Sequence, residues 1–239
     1  MRTSSVYRPE EETIRLLRGC ALFETLNERD MTMLARMCRV RQVERGALIC
    51  GRGELGDSMM IVAAGRVRIS SVSIEGREVI LNEILPGQAF GEIAFLDGAE
   101  RTADAAAIEP TRLLVLHRRE FQPFLRERME LCLEVMHLLC QRLRHTTEQV
   151  EDLALRSLES RLARVLMALA ESSGEAAADG SISFVPNLSQ RELGEITGAT
   201  RESVNKTLRL WRESGLAELH GKTFRIHDLE AFRSLVDRP

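Results

Sequence analysis

The stretch Phe90-Gly91-Glu92-Ile93-Ala94-Phe95-Leu96-Asp97-Gly98-Ala99-Glu100-Arg101-Thr102-Ala103 has a glycine and an acid at one end of a short loop and an arginine and a hydroxyl at the other. Gly91 has no Cβ atom, so a ligand can come close to the backbone there. The Glu92 carboxylate is a strong acceptor for a ribose 2′-hydroxyl group. Arg101, with backbone N–H groups at the start of a short helix, can hold a phosphate that carries one negative charge. These are the groups that a cyclic nucleotide needs.

Glycine, acid and arginine also occur this close together by chance, in surface turns whose charges are solvated. The surrounding residues favour a binding site. The segment FGEIAFLDGAERTA is similar to the phosphate-binding cassette of cyclic-nucleotide-binding domains, and Gly46–Ile69 is similar to the first strands of their β-roll. From about Gly19 to Ile226 the chain resembles the Crp-Fnr superfamily of bacterial regulators, and its motifs are closest to those of the cyclic-AMP receptor protein.

The resemblance implies an α+β fold with three parts. A cyclic-nucleotide-binding β-roll is expected in residues 1–118, a long dimerisation helix in residues 119–155, and a winged helix-turn-helix DNA-binding domain in residues 156–239. The length of 239 residues agrees with two modest domains that each bury a core. Short helices are expected before residue 38. Between residues 39 and 117, glycines separate short β-rich runs, which is typical of a compact β-roll or barrel.

Composition excludes several classes of protein. Hydrophobic residues make up 44% of the chain and charged residues 29%, as in ordinary globular proteins. No apolar run is long enough to span a bilayer, and the N-terminus lacks the apolar core of a secretory signal, so we expect a cytoplasmic protein without membrane association. The five cysteines, at positions 20, 38, 50, 132 and 140, include no Cys-x-x-Cys pair. Neither disulfides nor a metal site is therefore expected.

Apolar or small residues recur in the third quarter of the chain at spacings that alternate between four and three. We call them the seam: Met129, Leu133, Met136, Cys140, Leu143, Thr147, Val150 and Ala154. A 3.5-residue repeat sustained over several turns is typical of helices that pair, so we predict a homodimer through the 119–155 helix. The alternative is a single amphipathic helix that packs on its own domain.

Two adjacent hydroxyl residues, Thr146 and Thr147, lie in the same predicted helix. Thr147 falls on the seam and can face the partner chain, whereas Thr146 can face its own β-roll. The resemblance implies that they contact the adenine of cyclic AMP, one from each subunit, and that Arg142 approaches Glu92. The alternative is that both threonines bond to helix carbonyls. The resemblance assigns nine residues to the ligand: Gly91, Glu92, Ile93, Ala94, Arg101, Thr102, Arg142, Thr146 and Thr147. Cyclic GMP stays open as the effector, because Thr102 stands where the founding member has a serine.

The C-terminal part has the helix caps and the turn that are typical of a helix-turn-helix. An amphipathic helix from about Leu158 is expected to end in a small-residue loop over Glu171–Gly180. Ser189-Gln190-Arg191-Glu192 reads as a capping box that opens a helix. Thr197–Thr200 makes a turn, and Thr200 can cap the next helix, which buries Val204, Leu208 and Trp211. A hairpin over Leu216–Ile226, the wing, and a short terminal helix are expected to follow.

The net charge of −3 argues against a nucleic-acid ligand, but the charge of the predicted recognition helix does not. Residues 200–212 carry four basic residues and one acid. Arg201 can donate two bonds to a guanine, Glu202 can accept from a cytosine, and Lys206 can donate to a second guanine. The predicted contacts to double-stranded DNA are Ser189, Arg191, Thr200, Arg201, Glu202, Asn205, Lys206, His220 and Lys222. The alternative is a solvated helix face held by charge pairs.

The predicted function is therefore a cyclic-AMP-responsive homodimeric transcription factor. It would bind a pseudo-palindromic operator after its ligand realigns the two recognition helices, and RNA polymerase is an expected partner. A cyclic-GMP-responsive or effector-independent regulator of the same fold is the nearest alternative. The sequence shows no Ser-His-Asp, metal-binding or P-loop pattern, and its five histidines are dispersed, so an enzyme is not expected.

Overall fold

A computed structural model describes residues 9–74, 76 and 78–236. Residues 1–8 lie outside the described residues. They form most of the N-terminal segment in which no secretory signal is expected. The chain divides into two compact units, one that ends at Leu143 and one that begins at Arg144. Each unit is described below by itself.

The first unit combines short helices with a β-roll, in agreement with the α+β fold that the sequence predicts. Its helices are α1 (Pro9–Arg18), α2 (Glu28–Met37), α3 (Glu92–Asp97) and α4 (Arg118–Arg126), with a 3₁₀ turn at Ala21–Phe23. Its strands are β1 (Arg39–Val43), β2 (Leu48–Cys50), β3 (Ser58–Ala64), β4 (Val67–Val72), β5 (Glu78–Ile84), β6 (Ala89–Phe90), β7 (Asp104–Ala107) and β8 (Thr111–His117).

The eight strands of the described part of this unit form two antiparallel sheets, in the orders β1-β8-β3-β6 and β2-β7-β4-β5. One apolar cluster fills the roll and includes Met60, Phe90 and Leu113. A second packs the helices against the outside of the roll and includes Phe95 and Phe121. These two cores hold β3, β6 and β8 in place, and the cassette connects the end of β6 to the start of β7.

The long helix α5 (Met129–Leu155) is separate from α4, so the segment 119–155 contains two helices and a break. At the break, the Arg128 backbone N–H donates to the Leu125 carbonyl instead of the Phe124 carbonyl. The Arg128 guanidinium itself donates to the Phe124 carbonyl, at 2.7 Å, and pairs with Asp30. A side chain thus satisfies the carbonyl that the next helical turn would use, which ends α4.

The second unit holds the end of α5 and a winged helix-turn-helix. Its other helices are α6 (Leu158–Ser173), α7 (Gln190–Thr197), α8 (Arg201–Glu213) and α9 (Leu229–Val236). Its strands are β9 (Glu175–Ala176), β10 (Ile182–Phe184), β11 (Ala217–His220) and β12 (Thr223–Ile226), in the sheet order β11-β12-β10-β9. Trp211 packs edge-to-face on Phe232 in its core, and the Trp211 indole N–H donates to Glu159.

The loop expected over residues 171–180 is shorter than the sequence predicts. Helix α6 continues to Ser173, and β9 pairs with β10 in a small hairpin. The Ala177 backbone N–H donates to the Ser181 carbonyl, and the Asp179 carboxylate accepts from Ser181, so backbone pairing and one turn side chain order this segment. None of the helices in the described ranges combines the length and the apolar character needed to cross a membrane.

Candidate nucleotide-binding and DNA-binding sites

The cassette is a short helix between two glycines in left-handed conformation. Gly91 (φ +78°) precedes α3, and Gly98 (φ +79°) ends it by donating its N–H to the Ala94 carbonyl. Both backbones lie in the region that favours glycine. The Glu92 side chain in the first turn is only 4% exposed. A buried carboxylate needs charged or hydrogen-bonding partners, so this position is built for an interaction.

Arg101 returns from the far end of the cassette into the protein and is only 7% exposed. Its Nη1 donates to the Gly91 carbonyl at 2.9 Å, and its Nη2 donates to the Ser58 carbonyl at 2.7 Å and the Ser58 hydroxyl at 3.1 Å. The Arg101 Nε is buried and has no hydrogen-bond partner among the described residues. None of the described contacts of this buried guanidinium is with a carboxylate. Its positive charge is therefore not balanced by a neighbouring acid and can attract an anion.

Two glycines make room for this guanidinium. A Cβ atom on Gly91 would lie 2.5 Å from Arg101 Nη1, closer than real Cβ atoms approach. A Cβ atom on Gly56 would lie 2.3 Å from the Ala94 Cβ atom and 3.2 Å from Arg101 Nε. The place of the arginine therefore depends on a glycine inside the cassette and on a second glycine outside it.

Glu92 and Arg142 lie together, as the resemblance implies. Arg142 Nε is 3.5 Å from Glu92 Oε1, and Arg142 Nη2 donates to the Ala89 carbonyl at 2.6 Å. The pair joins the start of α3 to α5 within the first unit. The Glu92 carboxylate keeps acceptor capacity for a ribose hydroxyl, because a carboxylate can accept several hydrogen bonds.

The other predicted ligand residues are not all at the cassette. Ala94 is buried, whereas Ile93 and Thr102 are exposed. Thr146 and Thr147 are exposed positions of α5 in the second unit, so their contact with a purine stays a prediction.

Gly56 and Ser58 are site residues that the sequence reasoning missed. They precede the cassette by more than thirty positions, and no motif there marks them. Strand pairing brings them in, since β3 pairs with β6 and β8, with Met60 opposite Phe90 and Ser58 opposite His117. A serine at the first position of a strand, two residues after a glycine, was the available signal, and it is weak.

The helix-turn-helix begins with the capping box that the sequence predicts. The Ser189 hydroxyl accepts from the Glu192 backbone N–H at 3.2 Å, and the Glu192 carboxylate accepts from the Ser189 backbone N–H at 2.9 Å. Gly198 (φ +66°) ends α7, and the Thr200 hydroxyl caps α8 by accepting from the Ser203 N–H. The apolar face of α8 is buried through Val204, Leu208 and Trp211. These predictions are confirmed.

The opposite face of α8 is exposed and polar. One open concavity on it is lined by Thr200, Arg201, Glu202, Asn205, Lys206 and Arg209. The Asn205 amide donates to the Gln190 side chain at 3.1 Å, which ties α8 to the start of α7. A face with this mixture of donors and acceptors can read the edges of base pairs in a major groove.

The remaining predicted DNA contacts lie before and after α8 in the sequence. His220 and Lys222 are exposed on either side of Gly221 in the wing turn, and Arg191 is exposed and pairs with Glu195 at 2.7 Å. Lys206 and Lys222 are the only lysines of the chain, in which the other basic side chains are arginines and histidines. Both lysine ammonium groups therefore belong to predicted DNA contacts.

Comparisons with known proteins agree with this two-part chemistry. The model of the cyclic nucleotide-binding domain matches residues 40–128, and that of the Crp-like helix-turn-helix domain matches residues 160–235. The CRP-like cAMP-activated global transcriptional regulator of Mycobacterium tuberculosis (strain ATCC 25618 / H37Rv) is 29% identical over 215 residues, which cover 90% of this chain and 96% of that protein. The cyclic AMP receptor protein of Thermus thermophilus is 27% identical over 212 residues, which cover 89% and 94%.

A solved structure shares the fold. A CRP/FNR-family transcriptional regulator of Thermus thermophilus superposes with a TM-score of 0.65 at 26% identity, over 83% of this chain and 98% of that one. The proteins of this family are transcription regulators and not enzymes. With a cyclic nucleotide-binding domain followed by a Crp-like helix-turn-helix domain, the chain belongs to the Crp-Fnr superfamily of transcription regulators.

Proposed function

We propose that the chain is a cyclic-AMP-responsive homodimer that binds a pseudo-palindromic DNA operator when its effector is bound. The observation that carries the proposal is Arg101, a buried cation beside Gly91 and Glu92 whose Nε has no partner among the described residues. A cyclic phosphate supplies a negative charge and a hydrogen-bond acceptor for Arg101. The neighbouring sugar hydroxyl donates to the Glu92 carboxylate. Arg101 and Glu92 thus recognise the two polar groups that all 3′,5′-cyclic nucleotides share.

The choice of cyclic AMP rests on the purine side of the pocket. The relatives named above are cAMP-activated or cyclic AMP receptors at 27–29% identity. We assign the adenine contacts to Thr146 and to Thr147 of the second protomer, as the resemblance implies. Cyclic GMP is the alternative effector, and the exposed residue Thr102 supports it. A threonine hydroxyl at this position can accept a hydrogen bond from the guanine 2-amino group.

The homodimer is supported by the seam. Met129, Leu143 and Val150 are 73%, 68% and 60% exposed in the single chain. An exposed apolar row with a coiled-coil repeat favours a second copy of the same helix as its occupant. Two recognition helices in such a dimer meet half-sites about one DNA turn apart, roughly 34 Å.

Effector and DNA are coupled by a population shift in this proposal. The nucleotide can favour the DNA-binding arrangement only if it binds that arrangement more tightly than the other. Threonines contributed by both protomers provide such a difference, because a misaligned dimer cannot offer both. The protein would act in the cytoplasm, with RNA polymerase as a further partner.

The decisive experiment measures binding to a fluorescent TGTGA-type palindrome by anisotropy, with and without cyclic AMP. We expect cyclic AMP to tighten binding of the wild type and to have no effect on R101A, with R112A as a control arginine outside the cassette. Operator binding that is equal with and without nucleotide contradicts the switch. Calorimetric titration with cyclic AMP and cyclic GMP identifies the effector, and tighter binding of cyclic GMP overturns our choice.

The two lysines allow a direct test of the DNA face. An amine-acetylating reagent can modify Lys206, Lys222 and the terminal amine, and mass spectrometry reads each site separately. We expect the operator to protect Lys206 and Lys222 in the presence of cyclic AMP, while the terminal amine reacts as before. Equal labelling of both lysines with and without the operator contradicts the assignment of α8 and the wing.

A further inference from the structure

We infer that Ser58, outside the cassette, is a positioning residue for phosphate recognition. It would fix the plane of the Arg101 guanidinium so that the free donors of this group face one defined position of a cyclic phosphate. The inference rests on the proposed function and adds a residue from β3 to it.

The geometry singles out Ser58 among the neighbours of Arg101. Ser58 is the one described residue that offers the guanidinium both a carbonyl and a hydroxyl, at 2.7 and 3.1 Å from Nη2. The residue is buried, and its backbone is held in the β3–β8 ladder opposite His117. Gly91 holds the other nitrogen, Nη1, through its carbonyl at 2.9 Å. Acceptors on both terminal nitrogens leave the planar group little freedom to rotate.

The backbone of the same segment is itself anchored. The Gly56 N–H donates to the Ala99 carbonyl at 3.3 Å, and the Asp57 carbonyl accepts from the Arg118 N–H at 2.7 Å. Ser58 is thus presented from a fixed strand end and not from a mobile loop. A hydroxyl on a rigid support is suited to orient a long side chain that otherwise has many rotamers.

Orientation matters because a guanidinium is a planar fork and not a point charge. The two exocyclic oxygens of a cyclic phosphate are not equivalent, and a fixed fork bonds them unequally. Loss of the Ser58 hydroxyl would leave the charge of Arg101 and the two carbonyl contacts in place but remove one of the two acceptors that fix Nη2, so the fork would occupy a wider range of orientations. The expected defect is therefore specific to the phosphate and to its stereochemistry.

The test uses cyclic AMP and its two phosphorothioate diastereomers, each with sulfur at a different exocyclic position. Calorimetry gives the dissociation constants for the wild type, S58A, S58T and S58V, with S70A as a control at a buried serine of strand β4, in the other sheet. Because a hydrogen bond to a charged group is at stake, we expect S58A to weaken cyclic AMP binding about tenfold. The affinity ratio of the two diastereomers should fall towards one in S58A and stay at the wild-type value in S70A.

The isosteric pair S58T and S58V keeps the test informative if S58A does not fold. Threonine retains the hydroxyl and should keep the wild-type ratio, whereas valine replaces it by a methyl group and should lose it. An unchanged ratio in S58A or S58V, or equal losses in S58T and S58V, overturns the inference. If the wild type binds no cyclic nucleotide, the proposed function itself fails, which is a different outcome from normal wild-type binding with an indifferent Ser58.

Discussion

Gly91 and Gly46 share nearly the same left-handed backbone, with φ of +78° and +82°, but not the same surroundings. A Cβ atom on Gly46 would meet nothing within 4 Å, whereas one on Gly91 would meet Arg101 Nη1 at 2.5 Å. Both G46A and G91A should lose about 1 kcal/mol of stability from backbone strain alone. We expect only G91A to lose cyclic AMP binding, by tenfold or more, when the two variants are compared by calorimetry. Normal binding by G91A would show that the guanidinium does not need its observed place.

Asp30 provides a test of pH dependence. A hydrogen bond from the Arg128 guanidinium, aided by its charge, lowers the pKa of Asp30 from the ordinary value of 3.8. A lowered carboxyl pKa stabilises the fold above the ordinary value, and the contribution disappears as the pH falls through the folded-state pKa.

The variant D30N should therefore reduce the free energy of unfolding at pH 7, by about 1 kcal/mol. Urea titrations between pH 7 and pH 3 should show the difference from the wild type shrinking below pH 4. The same change at Asp57, whose side chain is 79% exposed, serves as a control with little effect. A D30N deficit that stays constant across this range would exclude the Arg128 pair as its cause.

The start of the recognition helix α8 depends on a single hydroxyl. Thr200 caps the helix from outside, whereas Thr207 lies within it and bonds back to the Ser203 carbonyl. Loss of an N-cap typically costs about 1 kcal/mol, while a mid-helix threonine adds little. We expect T200A to lower the thermal unfolding midpoint and T200S to restore it, with T207A near the wild type. Circular dichroism melts measure this, and equal melting of T200A and T207A would contradict the cap.

Short-range patterns predicted much of this fold, because their causes are local. The Ser189–Glu192 box and the Thr200 cap follow from residues three positions apart. The seam follows from a repeat in the sequence, and its residues Met129, Leu143 and Val150 are exposed in the single chain. Within the cassette, Glu92 and Arg101 were identified because a short loop brings its own residues together.

Features that depend on distant side chains escaped prediction. The break before α5 exists because the Arg128 guanidinium, which also pairs with Asp30 of α2, occupies the Phe124 carbonyl. Gly56 and Ser58 join the site through strand pairing across more than thirty residues. No local spacing carries this information, because these contacts are set by how the sheets and helices assemble.

The predicted dimer can be tested with a natural cysteine. Cys140 is an exposed seam residue, and in two parallel helices joined along the seam its copies come within disulfide range. Burial raises the pKa of Cys20 to about 11 and that of Cys38 to about 12, so these thiols are poor competitors for an oxidant. We expect copper–phenanthroline and oxygen to yield a covalent dimer on non-reducing gels.

Two variants make the crosslinking result specific. C140S should abolish the covalent dimer, and M136C in the C140S background should restore it, since Met136 is the preceding seam position. An antiparallel pair centred on Cys140 would not bring two copies of residue 136 together. A covalent dimer that persists in C140S, or a sedimentation velocity profile of a lone chain, contradicts the pairing.

The exposed apolar seam, together with the proposed pairing through it, has a further consequence for the amount of the protein in a cell. An association of two chains is opposed by dilution, so its extent depends on copy number as well as on affinity. Newly made chains at low abundance would expose the apolar seam to chaperones and proteases before two chains associate. Slower synthesis would then lower the concentration of the dimer more than in proportion to the rate of synthesis. The dimer would accumulate only above a threshold rate.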